Sequence, residues 1–312
     1  MINETQLNEH FQHISYEKKI SRSVNELVST DPNLVMKRWR DERDNLLWGI
    51  YGWKVYVIGA ESWIGKTTFV NQVARNVART WTRVVKYSLE DRMEDIGKEE
   101  LYYEINRWRF PEERYDWVKF VNNEYWTIGS KYYDEWFDKR LQEAQDKLSK
   151  ENIIELDKIK QINIEELVYL MSEECYKWTK LFVIDHLHYF EFDGKWDRLD
   201  LQIQNVMQQI NELARKRNIA VILVAHYRNN TPEDKDPDPS WFKDWASIKQ
   251  VANIIIQIVR DDNEWKSYFH LSKLRWPIKK TVLETTFNLS TFEYSFTKSQ
   301  KQISKEQEFM KK

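Results

Sequence analysis

The chain has almost no cysteine. Cys175 is the one thiol among 312 residues. It excludes an internal disulfide and leaves a thiolate zinc site without a ligand set, which suits a reducing compartment. Long apolar runs are missing as well. The opening residues, MINETQLNEHFQHISYEKK, lack the apolar core of a secretory signal, and no stretch has the length needed to span a bilayer. A soluble cytoplasmic protein with no membrane attachment is expected, in the host-cell cytoplasm if the source is viral. A net field is the third absence: 48 Lys and Arg face 50 Asp and Glu, for a formal net charge of −2. That balance gives no global attraction for a polyanion, so nucleic acid would have to use a local basic surface.

What is present is apolar and aromatic. Hydrophobic residues make up 41 % of the chain, enough for a sizeable core in one large domain with appendages. Fifteen tryptophans are present. Packing accounts for most of them, and base stacking is the sharper reading for one or two.

Along the chain, residues 1–45 are polar with apolar residues at helical spacing (Leu7, Phe11, Ile14, then Val24, Leu27, Val28) and a break at Asp31-Pro32. They read as a helical arm. From Trp53 the character changes. Short apolar runs at Lys54–Gly59, Arg83–Leu89, Leu181–Ile184 and Ile219–Ala225 read as buried strands. Thr67–Thr80 and Leu201–Arg217 read as amphipathic helices, and helical spacing recurs across 130–150 and 163–179. Val251–Val259, Tyr268–Leu274 and Val282–Leu289 add further strands. The expected organisation is an arm over 1–45, a domain over 46–297 and a polar, disordered tail over 298–312. Alternating strands and helices predict an α/β domain with a doubly wound, mostly parallel sheet.

The strand ending at Gly59 runs into Ala60, Glu61, Ser62, Trp63, Ile64, Gly65, Lys66, Thr67 and Thr68, and then into a helix. Strand, loop and helix in that order form the setting of a phosphate-binding loop. Backbone amides and the helix N-terminus converge on phosphate oxygens. Gly65 allows close backbone approach. Lys66 would reach the β- and γ-phosphates, and Thr67 would place its hydroxyl on Mg²⁺. The strict pattern wants glycine where Ala60 stands, and Gly59 comes one place too early.

Three further residues fit ATP chemistry. Asp185 ends an apolar strand, where a carboxylate completes the Mg²⁺ shell. Glu90 follows the second strand at its expected carboxyl end and is the candidate general base. Asp91 is the weaker candidate, and a solvated acidic helix start is the competing reading of both. His226 ends the fourth strand, where a polar side chain could contact the γ-phosphate; capping of the strand end is its alternative. His186 and His188 lack a third metal partner and read as core or loop histidines.

Together these residues resemble the RecA-like motor domain of hexameric replicative helicases of the DnaB type, superfamily 4, over roughly Leu46 to Phe296. That family's loop reads A-R-P-S-x-G-K-T, often after glycine, and Gly59 to Thr67 stands in its place, accounting for Ala60. Its strand-end Ser-Leu-Glu is similar to Ser88-Leu89-Glu90, and its Val-Ile-Asp-Tyr-Leu resembles Val183-Ile184-Asp185-His186-Leu187. Its γ-phosphate sensor is histidine in the phage and mitochondrial branch, which His226 resembles. Ser247 to Asn253 is similar to its A-I-E-Q-D-A-D, and Lys273-Leu274-Arg275 to its Lys-x-Arg. The resemblance implies a RecA-like P-loop ATPase with ATP and Mg²⁺ and a homo-oligomeric ring, hexameric in the family. Lys273 and Arg275 would reach into the neighbour's site, and Lys243, Trp245 and Lys249 would meet single-stranded DNA.

The expected function is an ATP-driven translocase or replicative DNA helicase. The alternative is an ATP-dependent assembly or regulatory switch for a protein partner. The acidic loop with Glu233, Asp234, Asp236 and Asp238 favours that alternative, because a DNA channel gains affinity from cations. A strand-exchange filament is a third reading, to which Ser-Leu-Glu and Lys-x-Arg are less suited. Residues 97–180 match no part of the resembled family's motifs.

Overall fold

The computed structural model describes residues 34–36, 50–61, 64–89, 93–150, 153–156, 162–186, 199–227, 239–242, 245–261, 266–274 and 281–299. The chain divides after Leu34 into two units, and the second of them carries the sheet and the candidate site. The arm expected over 1–45 lies outside the described residues apart from 34–36.

The main sheet is built from β1 (Val55–Ala60), β2 (Val84–Ser88), β3 (Ile153–Leu156), β4 (Leu181–Asp185), β5 (Ala220–His226), β6 (Ile254–Asp261), β7 (Lys266–Leu274), β8 (Thr281–Asn288) and β9 (Glu293–Ser299). Their order is β9-β8-β7-β6-β1-β5-β4-β2-β3. From β6 to β3 every neighbouring pair is parallel; β7, β8 and β9 add antiparallel strands outside β6. This is the expected doubly wound, mostly parallel architecture.

Continuous apolar runs form the central strands because helices cover both faces. Alternate residues serve two cores. Val55 and Val57 of β1 pack with Val221 and Leu223 of β5 on one face, against α5 (Ile164–Tyr176) and α6 (Leu199–Arg217). Tyr56 and Ile58 face the other way, where α1 (Lys66–Ala78) contributes Phe69, Val70, Val73 and Val77. Those four recur at helical spacing, as expected from the sequence.

Residues 93–150 form a third, aromatic cluster. It contains α2 (Met93–Asn106), α3 (Trp117–Val121) and α4 (Phe137–Leu148). Tyr102, Tyr115, Phe120, Tyr125 and Phe137 are buried together, with Trp117, Trp126 and Phe292 against them. Asp116 caps α3 by accepting from the Lys119 amide, and Asn163 caps α5 by accepting from the Glu166 amide.

Two expectations change here. The run Val251–Val259 reads as one strand in the sequence, but α7 (Trp245–Val251) ends within it and β6 begins at Ile254. Asn253 fixes the break by exchanging two hydrogen bonds with Val55, amide to backbone carbonyl at 2.9 Å and side-chain oxygen from the Val55 amide at 2.8 Å. The composition predicts a tail from residue 298, yet β9 runs to Ser299, with Lys298 opposite Glu284 and Ser299 opposite Leu283. Antiparallel pairing with β8 overrides the polar composition there.

Candidate nucleotide site

The candidate side chains converge at the carboxyl ends of β1, β4 and β5, where ligands bind in open parallel sheets. Register brings them together. Ala60 pairs with His226 across β1 and β5, and Ser88 pairs with Asp185 across β2 and β4. The loop then enters α1 through Gly65, which has φ 92. This left-handed conformation suits glycine.

Lys66 is 6 % exposed. Its ammonium donates to the carbonyls of Ala60 at 3.2 Å and Glu61 at 2.9 Å, and to His226 Nδ1 at 3.0 Å. A lysine ammonium can only donate, so Nδ1 accepts and the His226 ring proton lies on Nε2. Several acceptors around one amine offset the cost of burying a cation. The Thr67 hydroxyl donates to Asp185 Oδ2 at 2.8 Å, so the two expected magnesium-side residues touch. Ile64 and Thr68 are half-buried and Glu61 is exposed. Among the described residues no group of three His, Cys, Asp or Glu is placed to hold a metal ion.

Gly59 has a role that its place in the loop pattern does not suggest. A Cβ there would come within 2.0 Å of the Phe242 ring. Tyr227 and Phe242 form an antiparallel bridge, and the Tyr227 hydroxyl donates to the Gly59 carbonyl at 3.3 Å. The missing side chain at 59 thus admits the ring of Phe242, which bridges to Tyr227 at the end of β5.

Three partners of the site carry little or no signal in the sequence. His186 is fully buried and its ring lies on His226, with centroids 3.7 Å apart at 31°. A histidine where the resembled family reads tyrosine is its one signal. Tyr294 of β9 donates from its hydroxyl to the Ile64 carbonyl at 2.8 Å. A Cβ on Gly65 would meet that hydroxyl at 2.3 Å. Burial pushes the Tyr294 hydroxyl well above the usual phenol range, so it remains a donor at any working pH. Gln72 of α1 holds the Tyr294 backbone, donating to its carbonyl at 3.0 Å and accepting from its amide at 2.9 Å. These contacts span more than two hundred residues of sequence, so no local pattern signals them.

Other candidates are not brought to this cluster. Glu90, Ser62, Trp63, Lys243 and Arg275 lie outside the described residues, and of Trp245 only its place at the start of α7 is described. Lys249 is exposed on α7. Lys273 is placed against its own chain, donating to the Ala252 carbonyl at 2.6 Å and to the Lys249 carbonyl. It thereby satisfies carbonyls left open at the end of α7.

Among the described residues, no helix is long and apolar enough to cross a membrane. The chain is 24 % identical to the replicative DNA helicase DnaC of Bacillus subtilis (strain 168), over 71 % of this chain and 46 % of that protein. It is 23 % identical to the replicative DNA helicase DnaB of Geobacillus stearothermophilus, over 76 % of this chain and 52 % of that protein. The chain therefore spans about half the length of these relatives. Among solved structures, an isolated ATPase domain superposes with a TM-score of 0.75 at 18 % identity, covering 90 % of this chain and 98 % of that one. A DnaB-like replicative helicase, described with its interactions with primase, superposes with a TM-score of 0.73 at 20 % identity, covering 89 % of this chain and 66 % of that one. Both show the same fold, RecA-like α/β. The family model of the DnaB-like helicase C-terminal domain matches residues 40–286. With most of its length matched in this way, and with the loop, carboxylate and histidine assembled at one end of the sheet, the chain belongs to the DnaB-like helicase C-terminal domain family.

Proposed function

We propose that the chain is the ATP-hydrolysing motor of a ring-forming, single-stranded DNA translocase that serves as a replicative helicase. The observation that carries this reading is the cluster of Lys66, Thr67, Asp185 and His226 at the carboxyl ends of β1, β4 and β5. Thr67 and Asp185 offer a hydroxyl and a carboxylate oxygen side by side, a donor set that suits Mg²⁺, which takes its remaining ligands from water and phosphate. When bound there, Mg²⁺ would neutralise charge developing on the phosphate oxygens.

The chain's own residues do the rest. Lys66 exchanges its carbonyl partners for β- and γ-phosphate oxygens. Glu90 takes the proton from the attacking water. His226, already joined to Lys66, reports loss of the γ-phosphate to β5 and the loop beyond Tyr227. Arg275, with Lys273, arrives from the neighbouring subunit and stabilises the transferring phosphoryl group. For Lys273 this requires release from the end of α7. Lys243, Trp245 and Lys249 contact the DNA strand, and the subunits close into a hexamer.

The test is ATP turnover with and without single-stranded DNA, using Lys66→Ala as control. Stimulation of at least roughly tenfold is expected, lost in Arg275→Ala and restored by mixing that variant with Glu90→Gln subunits, because each then supplies what the other lacks. Turnover unmoved by DNA, with no retention on DNA at low salt, would sink the motor reading.

A further inference from the structure

The end of the sheet opposite the nucleotide site has an unusual construction. Four neighbouring parallel strands are each entered through a residue in the left-handed conformation. These are Trp53 (φ 58) before β1, Asn218 (φ 52) before β5, Trp178 (φ 65) before β4 and Trp81 (φ 64) before β2. Asparagine is a residue this conformation favours, because its short polar side chain bonds locally; a bulky side chain is disfavoured there. Asn218 fits that rule and the tryptophans break it.

Ring burial does not offset the strain at two of them. Trp81 is 86 % exposed and Trp178 is 78 % exposed. Both precede the paired residues Val84 and Leu181 by three positions, and the Lys180 amide donates to the Arg83 carbonyl between them at 3.1 Å. They therefore precede the starts of adjacent, hydrogen-bonded strands, whose spacing in the sheet is about 5 Å. A strained residue whose ring is left largely to solvent points to a function outside the fold.

Cations lie beside both tryptophans in the chain: Lys177 and Lys180 flank Trp178, and Arg83 follows Trp81. Arg83 and Lys177 share one carboxylate, Glu174, at 2.9 and 2.8 Å, so positive charge is in excess there. Arg217 stacks over Tyr176, itself 67 % exposed, at 4.8 Å. Arg215 and Lys216 complete a basic last turn of α6, while Glu173 on α5 and Glu212 on α6 are the exposed acids near those helix ends. The helix dipole explains basic residues at the end of α6 but not the rings. The cores of protein interfaces are depleted of lysine. Strands of phosphates and bases need both cations and flat rings.

We propose that this edge is a stacking site for single-stranded nucleic acid. Trp81 and Trp178 take bases, while Lys177, Lys180 and Lys216 meet phosphates. The site lies away from Lys66 and Asp185 and does not depend on the motor reading.

The test uses the full chain with Trp81→Asn and Trp178→Asn, singly and together, since Asn218 already holds this conformation. Affinity for a labelled oligo-dT is read by anisotropy, and contacts are mapped by cross-linking an iododeoxyuridine oligonucleotide. Each substitution is expected to weaken binding by roughly tenfold, to leave DNA-free ATP turnover unchanged, and to keep or raise the melting temperature by relieving strain. In the parent, cross-links fall on Trp81 or Trp178. A fall of several degrees in melting temperature would show the rings to be structural and overturn the proposal. So would unchanged affinity with cross-links elsewhere, an outcome that would leave a protein partner as the explanation of the rings. Lys66→Ala keeps this binding while losing turnover, so failure of the motor reading and failure of this site give different results.

Discussion

The nucleotide end of the parallel sheet and the aromatic segment 93–150 are held by different means. At the nucleotide end, aliphatic strands present a few polar side chains in fixed register, with Lys66 bonded to His226 and Thr67 to Asp185. In the aromatic segment rings dominate: Phe137 lies 4.5 Å from Trp126, 4.9 Å from Tyr115 and 5.4 Å from Tyr125, centroid to centroid. The first arrangement positions charge and the second fills volume. They meet near β9, where Phe292 packs into the aromatic cluster two residues before Tyr294 reaches the Ile64 carbonyl of the candidate phosphate loop.

If the division holds, substitutions should separate stability from turnover. Phe137→Ala should cost the most, about 3–5 kcal/mol of unfolding free energy measured by denaturant titration, while the protein that remains folded keeps the parent's turnover. Equal loss of turnover would merge the two regions into one cooperative unit. Lys66→Ala should do the reverse, lowering turnover by at least roughly a hundredfold with a small change in melting temperature.

Between these lie the contacts around Gly65. Gly65→Ala forces a Cβ into a left-handed residue and against the Tyr294 hydroxyl. The strain of about 1–2 kcal/mol should weaken nucleotide binding about tenfold by calorimetry. Tyr294→Phe loses one hydrogen bond, about 0.5–1.5 kcal/mol, and should weaken binding only a few-fold. A Tyr294→Phe variant that binds like the parent would reduce Tyr294 to packing.

The smallest effect concerns acid. Burial alone would raise the Asp134 carboxyl, but the Tyr115 hydroxyl at 2.6 Å, the Trp136 amide, Arg140 and Arg109 outweigh it and hold it below the usual carboxylate range. A group depressed in the folded state stabilises above its unfolded pKa, about 3.9, and that stability is lost as pH falls through the folded value. Asp134→Asn should therefore melt lower than the parent at neutral pH, with the gap closing below about pH 4. A gap independent of pH would assign the effect to lost hydrogen-bond geometry rather than charge.

The parallel strands and α1 were legible because each carries its signal within a few residues: an apolar run or a helical stripe. The loop from Ala60 to Thr68 and the strand-end Asp185 were legible for the same reason. The end of α7 inside Val251–Val259 was not, because the choice between helix and strand there rests on Asn253 bonding to Val55. The four-residue edge strand β3 carried too little pattern to separate it from loop. Within 93–150 the helical spacing read across 130–150 marks where α4 forms, whereas α2 and α3 lie among rings and charge without one clear period and emerge only once the rings find one another.

By itself, the sequence determined the order of the elements, the parallel core and the candidate for a phosphate loop, because these follow from local periodicity and from a loop whose chemistry is contiguous. Only the tertiary structure decided that His186 stacks on His226, that Tyr294 closes over Gly65, that Gly59 makes room for Phe242, and that tryptophans line the far edge of the sheet. Each depends on strand register and crossover connections that join residues distant in the chain, and a one-dimensional pattern does not encode such contacts.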